Sequence, residues 1–232
     1  NFIIVSQYGP RKNIAKTIKL FMHEFKDEEV GLIVKTNMAK NSHIDFLKTQ
    51  EKIRKIISEV PDMENRKCKI YLFHGDMTDE EMHSLYLHPQ IKALVSLTHG
   101  EGFGLPLFEA AYSGIPVVTV GWSGQLDFLV DDSGKSNFYN VSYDINNVQE
   151  EAVWEGIIQA DSKWAYARDN SAQKQMRQCY EDLTVNNVHY AEEYAQFLKE
   201  KFSEEAMYAK FVDSVLSAVD STASEEAQVM VL

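Results

Sequence analysis

Short apolar runs alternate with segments of helical periodicity over the first 120 residues. Five runs of four or five residues have the continuous apolar character of buried strands: 2–5, 31–34, 70–73, 93–97 and 116–120. Between them, apolar residues recur at helical spacing over 13–25, 44–60, 78–87 and 105–113. Strands that alternate with helices in this way predict an α/β fold, with a parallel sheet covered by helices on both faces.

Local signals mark several of the helix ends. Thr78 is followed three residues later by Glu81, which is the pattern of a capping box and predicts a helix start. Pro61 ends the helix that comes before it, and Gly114 marks the end of the helix that begins near residue 105. These signals agree with the apolar periodicity and locate ends of three of the predicted helices.

The last third of the chain is predicted to be mostly helical from about residue 147. Five large apolar residues indicate a linking segment that packs on the sheet domain: Trp154, Ile157, Ile158, Trp164 and Tyr166. Two or three helices are expected over 171–218. We therefore predict a sheet domain over 1–180 and a helical extension over 181–232 that packs on it, with a frayed tail from about 220.

Two glutamates eight residues apart bracket a glycine-containing turn between a strand and a helix. Glu101 follows the apolar run 93–97, and Glu109 lies about one turn into the helix that follows. Pro106 suits a first helical turn, where its missing N–H has no partner to lose. Gly102 and Gly104 allow the backbone to approach a ligand closely. The helix start favours an anion, so the turn predicts a ligand with hydroxyl and phosphate groups.

Charge is distributed unevenly along the chain. The formal net charge is −12, but residues 1–70 contain 14 Lys and Arg against 9 Asp and Glu. The acidic total argues against a nucleic-acid partner. Phosphate contacts are therefore expected in the basic first third, although most lysines there are interpreted as solvated helix positions.

Length and composition narrow the class of protein. The 232 residues, 44% of them hydrophobic, suffice for one large domain with a core of its own. No apolar run reaches the roughly 18 residues that a membrane span requires, and no signal segment is recognised at the amino terminus. Cys68 and Cys179 have no metal-binding spacing. A cytoplasmic location is expected, with peripheral membrane association through a further domain left open.

Three further positions after predicted strands are candidates for ligand contact. Arg11 and Lys12 place two cations at a helix start, where an acid is preferred, and this local misfit favours a functional interpretation. Lys35 ends the second strand and either contacts a ligand or extends into water. His74 and Gly75 form a turn after the third strand, and His74 is interpreted as a packed turn histidine more readily than as a catalyst.

Three stretches of the chain form an ordered series of motifs: Glu101 to Ala110 reads EGFGLPLFEA, Ser113 to Val118 reads SGIPVV, and Trp122 to Leu129 reads WSGQLDFL. This series resembles the signature of glycosyltransferase family four. The family has the GT-B architecture of two Rossmann-like domains, and its members transfer sugars with retention of configuration. The resemblance covers roughly residues 1–180 and implies the carboxy-terminal, donor-binding half.

The resemblance implies roles for particular residues. Arg11 and Lys12 would contact the donor diphosphate, Glu101 would contact the donor sugar near its reacting face, and Glu109 would bind the ribose hydroxyls. The remaining donor contacts would come from Lys35, His74, Gly75, Gly102, Phe103, Gly104 and Leu105, with Phe103 equally interpreted as a core residue. No metal is expected, because GT-B enzymes generally bind the donor without one and no metal-binding constellation is recognised.

The implied activity is hexosyl transfer from a nucleotide-sugar to a glycan, lipid or small-molecule acceptor. An acceptor domain in cis or in trans would be required, because a two-domain member needs roughly 350 residues or more. The sequence leaves open whether the chain is a fragment or a subunit of a split enzyme. Two other functions remain open, namely a non-catalytic subunit that binds a nucleotide-sugar and a nucleotide-sugar epimerase of GT-B fold.

Overall fold

Six parallel strands form the central sheet of the computed structural model, which describes residues 1–188 and 190–226, the last nine of them by backbone alone. In chain order the strands are β1 (Phe2–Val5), β2 (Gly31–Lys35), β3 (Lys69–Phe73), β4 (Ala93–Ser96), β5 (Val117–Val120) and β6 (Tyr139–Val141). Their order across the sheet is β3-β2-β1-β4-β5-β6. Every neighbouring pair is parallel, so the predicted parallel sheet is confirmed.

Helices cover both faces of the sheet. They are α1 (Ile14–Glu24), α2 (His43–Ser58), α3 (Asp79–Tyr86), α4 (Leu105–Tyr112), α5 (Leu126–Leu129), α6 (Asp169–Thr184), α7 (Tyr190–Lys201) and α8 (Glu204–Glu226). Alternate residues of a strand point to opposite faces. Phe2 and Ile4 of β1 accordingly join one core with α1, α2 and α6, whereas Ile3 joins a second core with α3, α4 and α7.

The segment that follows residue 142 corrects the sequence prediction. Instead of a mostly helical linker, the chain forms an antiparallel hairpin of β7 (Tyr143–Asn147) and β8 (Lys163–Ala167). Alternate residues of β8, Ala165 and Ala167, are buried, which is a period of two that the aromatic residues beside them obscured. Trp154 and Ile157, in the excursion between these strands, are exposed and do not pack on the sheet.

The helices after residue 168 agree with the prediction. The two or three helices expected over 171–218 are α6, α7 and α8, and α7 lies against α4. The domain boundary at 180 stays a prediction. α8 is helical to Glu226, and the rest of the tail predicted to fray lies outside the described residues. No helix in the described part of the chain has both the length and the apolar character of a membrane span.

Helix α2 shows where periodicity overstated the core. Ile53 and Ile56 of the predicted apolar stripe are buried against the sheet, whereas Ile44 and Leu47 are exposed.

Helix α3 begins as predicted, because both halves of the capping box are formed. Glu81 N–H donates to the Thr78 hydroxyl at 3.2 Å, and Thr78 N–H donates to the Glu81 carboxylate at 2.8 Å.

The capping box gives a direct test of this part of the fold. Replacing Thr78 by Ala removes the acceptor of the Glu81 N–H, so the free energy of unfolding should fall by about 1 kcal/mol. Thr78→Ser keeps a hydroxyl and should match the wild type. Urea unfolding followed by circular dichroism measures both variants, and an alanine variant as stable as the wild type would contradict the assigned cap.

Candidate functional site

The candidate site lies at the edge of the sheet where the parallel strands end. The loops after β1, β2, β3 and β4 all leave from this edge, as the sequence predicted. The chain runs outward in both directions from the centre of the sheet, because β2 lies on one side of β1 and β4 on the other. Ligands of open α/β sheets bind at such a switch point, beyond the carboxyl ends of the strands.

Three residues that were predicted separately meet at this switch point. Arg11 and Lys12 form a short 3-10 helix after β1, and Glu101 follows β4. Lys12 Nζ lies 2.7 and 2.8 Å from the two carboxylate oxygens of Glu101, and Arg11 Nη1 lies 2.8 Å from one of them. Arg11 Nη1 also donates to the carbonyl of Gly100. The structure thus joins the loops after β1 and β4 through charge-assisted hydrogen bonds.

Glu101 is not a solvated loop carboxylate. Its side chain is 7% exposed, compared with 20% for Lys12 and 41% for Arg11. Burial alone would raise the pKa of Glu101, but the hydrogen bonds and charges of Lys12 and Arg11 outweigh burial and lower that pKa. Two cations against one carboxylate leave a local excess of positive charge, and the more exposed cation is open to a ligand.

The start of α4 follows the same turn and has the positive end of the helix dipole. Gly104 precedes the helix with φ of 92°, a conformation that glycine adopts without strain. No described side chain caps this end, and Pro106 occupies the first turn. A β-carbon at Gly102 would meet no atom within 4 Å, so a ligand has room beside the backbone there. This end of α4 suits a phosphate or a sugar hydroxyl.

Glu109 faces a small cavity between α3 and α4. Its carboxylate accepts a hydrogen bond of 3.0 Å from the Tyr86 hydroxyl. Burial raises the pKa of Glu109, and the hydrogen bond from Tyr86 opposes that shift only in part. The cavity has a volume of about 190 Å³ and includes Asp79 and His83 on the α3 side. A carboxylate that still lacks donors can accept hydrogen bonds from ligand hydroxyls.

Lys35, His74 and Gly75 connect the loops that follow β2 and β3. Lys35 Nζ donates to the carbonyl of Gly75, and burial lowers the pKa of Lys35. His74 Nε2 lies 2.9 Å from Asp45 Oδ2, with both side chains buried. Asp45 also accepts the N–H groups of residues 38 and 39. These contacts favour the packed turn histidine, whereas the ligand roles of all three residues stay predictions.

Phe103 packs in the core, whereas Leu105 is accessible to a ligand. The Phe103 ring contacts the rings of Phe108 and Phe128, with centroids 5.4 and 4.9 Å away. This arrangement matches its interpretation as a core residue. Leu105 is exposed at the start of α4. Contacts of a donor with this turn are therefore expected from the backbone and from Leu105 rather than from the Phe103 ring.

Sequence reasoning missed three partners of the predicted residues. Tyr86 pairs with Glu109, Asp45 pairs with His74, and Ser123 holds the backbone of Glu101. Tyr86 and Asp45 gave no signal, because each lies within a helix and meets its partner only through tertiary packing. Ser123 could have been predicted, since its loop follows β5 and therefore leaves from the same edge of the sheet.

No group of three or more His, Cys, Asp and Glu side chains in the described residues is arranged to hold a metal ion. Glu101 is instead paired with two cations, and Glu109 is paired with a tyrosine hydroxyl. Independence from metals stays a prediction.

Comparison with known structures places the fold in the GT-B class. A glycosyltransferase from Rickettsia africae ESF-5 matches with a TM-score of 0.59 and 12% identity, over 91% of this chain and 46% of that one. Anabaena Alr3699/HepE, solved in complex with UDP and glucose, matches with a TM-score of 0.57 and 14% identity, over 93% and 48%. The predicted one-half of a GT-B fold is confirmed by these matches.

The sequence comparison finds partial matches to glycosyltransferases. Residues 64–153 match the family described as glycosyl transferases group 1, a range that includes Glu101 and Glu109. Poly(glycerol-phosphate) alpha-glucosyltransferase of Bacillus subtilis (strain 168) is 26% identical over 151 residues, which are 65% of this chain and 20% of that protein. The predicted resemblance to these glycosyltransferases is confirmed. The chain spans about half the length of the two structures and a fifth of that relative.

The ion cluster makes stability depend on pH in a defined direction. A carboxylate whose pKa is lowered on folding stabilises the fold above its unfolded pKa of about 4.3. That contribution disappears as pH falls through the lower folded pKa. At neutral pH the wild type should be more stable than Glu101→Gln by roughly 1–3 kcal/mol, and the difference should shrink in acid.

Denaturant unfolding between pH 7 and pH 3 measures this difference. Glu155→Gln, at an exposed position, is the matched control and should leave stability unchanged. A stability difference for Glu101→Gln that stays constant across this range would contradict the ion cluster.

Proposed function

We propose that this chain is the donor-binding half of a retaining glycosyltransferase that uses a nucleotide-sugar. The observation that carries the proposal is the meeting of Arg11, Lys12 and Glu101 at the switch point of the sheet. A cationic pair beside an open helix start suits a diphosphate. A buried carboxylate beside that pair suits the sugar attached to it.

In the proposed complex each part of the donor has its own contact. The diphosphate lies against Arg11, Lys12 and the start of α4. The ribose hydroxyls enter the cavity between α3 and α4 and donate to the Glu109 carboxylate, whose one hydrogen bond within the described residues comes from Tyr86. The base lies along the backbone of Gly75 and the loop at 74–78, with Lys35 behind it.

The chemistry assigned to this half is stabilisation of the leaving group. The bond between the anomeric carbon and the diphosphate oxygen breaks, and its electron pair stays on the diphosphate. Arg11 and Lys12 stabilise the charge that develops there, and they are already oriented by Glu101. The acceptor attacks from the same face, its proton leaves with the diphosphate, and configuration is retained.

The acceptor belongs to a part of the enzyme beyond this chain in the proposal. The structural relatives are about twice as long as the matched region, which supports a second domain in cis or in trans. The complex of Anabaena HepE with UDP and glucose supports a uridine diphosphate sugar as the first donor to test. The acceptor class, whether glycan, lipid or small molecule, is left open, and no metal is assigned to the donor site.

Nucleoside diphosphate binding tests the diphosphate contacts. UDP should bind at least about tenfold more tightly than uridine, because each charge-assisted hydrogen bond contributes roughly 1.5–3 kcal/mol. Lys12→Ala should weaken UDP binding by about tenfold or more and leave uridine binding unchanged. Isothermal titration calorimetry in the presence of EDTA measures both ligands.

Lys19→Ala is the matched control, because Lys19 lies on α1 and pairs with Glu59, which is not part of the candidate site. It should bind UDP like the wild type. Equal affinities for UDP and uridine would remove the diphosphate site from this edge, and loss of UDP binding in EDTA would contradict the metal-free arrangement.

A double-mutant cycle tests the ribose contact. Glu109→Gln and removal of both ribose hydroxyls, in 2′,3′-dideoxyuridine diphosphate, should each weaken binding. If the hydroxyls donate to Glu109, the two losses overlap by about 1 kcal/mol or more. Strictly additive losses would show that Glu109 does not contact the ribose.

A further inference from the structure

The loop after β5 forms hydrogen bonds with the backbone of Glu101. Glu101 N–H donates to the Ser123 hydroxyl oxygen at 2.7 Å, and Gly124 N–H donates to the Glu101 carbonyl at 3.1 Å. Ser123 Oγ also lies 3.1 Å from that carbonyl and 3.1 Å from Gln125 Oε1. Both backbone polar groups of Glu101 are thus engaged by one short segment.

The hydroxyl of Ser123 is oriented by a buried neighbour. Gln125 is fully buried, and its amide nitrogen donates to the Val120 carbonyl at 3.0 Å. Its amide oxygen therefore faces Ser123 and needs a donor. The Ser123 hydroxyl lies within donating distance of both this oxygen and the Glu101 carbonyl. The lone pairs of Ser123 then face the Glu101 N–H.

The backbone of this loop is unusual in a way that brings it close to the site. Ser123 adopts φ of 72°, which is rare for a residue other than glycine and carries a local cost. A β-carbon at Gly124 would lie 1.8 Å from the carbonyl oxygen of Gly102. Only glycine fits there, and the close approach sets Ser123 directly beneath Glu101. If position 123 only had to form the turn, glycine would adopt this φ with less strain than serine.

We propose that Ser123 is a positioning residue, whose hydroxyl fixes the Glu101 amide and thereby sets the carboxylate between Arg11 and Lys12. The purpose of that carboxylate in sugar transfer rests on the proposed function, whereas its positioning does not. Ser123 itself is assigned no contact with the donor.

Two substitutions separate positioning from stability. Ser123→Gly removes the hydroxyl but suits the positive φ, so its melting temperature should stay within roughly 4 °C of the wild type. Ser123→Thr keeps the hydroxyl but places a branched side chain at that φ, so it should be less stable. If Ser123 only stabilised the fold, the more stable variant, Ser123→Gly, would also keep the Glu101 pKa closer to that of the wild type.

The readout is the pKa of the Glu101 carboxyl, measured by NMR with ¹³C-labelled glutamate and assigned with Glu101→Gln. In the wild type this pKa should lie below the ordinary range. In Ser123→Gly it should rise toward that range, because the carboxylate is no longer held on both cations. In Ser123→Thr it should stay low. Asp62→Gly is the matched control, since Asp62 is an exposed residue with φ of 56° outside the site.

An unchanged Glu101 pKa in a folded Ser123→Gly protein would overturn the proposal. A raised pKa in Ser123→Thr or in Asp62→Gly would do the same, and the threonine variant carries the test if the glycine variant does not fold. These measurements need no donor. A wild type that shows the expected Glu101 titration but fails to bind UDP would refute the proposed function and leave the role of Ser123 standing.

Discussion

The carboxylate of Glu101 is the group on which the arrangement of the site depends. An almost fully buried anion is costly unless cations and hydrogen bonds compensate it. Here Lys12 contacts both of its oxygens and Arg11 contacts one. Because both cations come from the loop after β1 and Glu101 comes from the loop after β4, satisfying one charge aligns the two loops at the switch point of the sheet. Removing Glu101 deprives both cations of their shared partner, whereas removing one cation leaves the other paired with Glu101.

The two glutamates of the motif lie in opposite electrostatic environments. Cations lower the pKa of Glu101, whereas burial raises the pKa of Glu109, which has a hydroxyl as its partner. The first carboxylate is oriented before any ligand arrives, and the second retains capacity for new donors. In the proposed enzyme this difference separates a preorganised reaction centre from a site that recognises the nucleotide.

Much of this arrangement is predictable from sequence. Apolar runs and helical spacing gave the parallel sheet, because buried strands and amphipathic helices have different periods. The edge that Arg11, Lys12 and Glu101 share followed from the direction of the strands. The hairpin of β7 and β8 was missed because Trp164 and Tyr166 hide its alternation. The pairing of Tyr86 with Glu109 was beyond reach, since only the packing of α3 on α4 creates it.

A crystal structure of the chain with UDP would locate the ligand relative to the cations beside Glu101. Diphosphate oxygens should lie within about 3 Å of Lys12 Nζ and an Arg11 nitrogen, with the ribose hydroxyls on the Glu109 carboxylate. Electron density for UDP on another face of the sheet would contradict the proposed donor site. So would phosphates that lie in solvent while both cations keep only their contacts with Glu101.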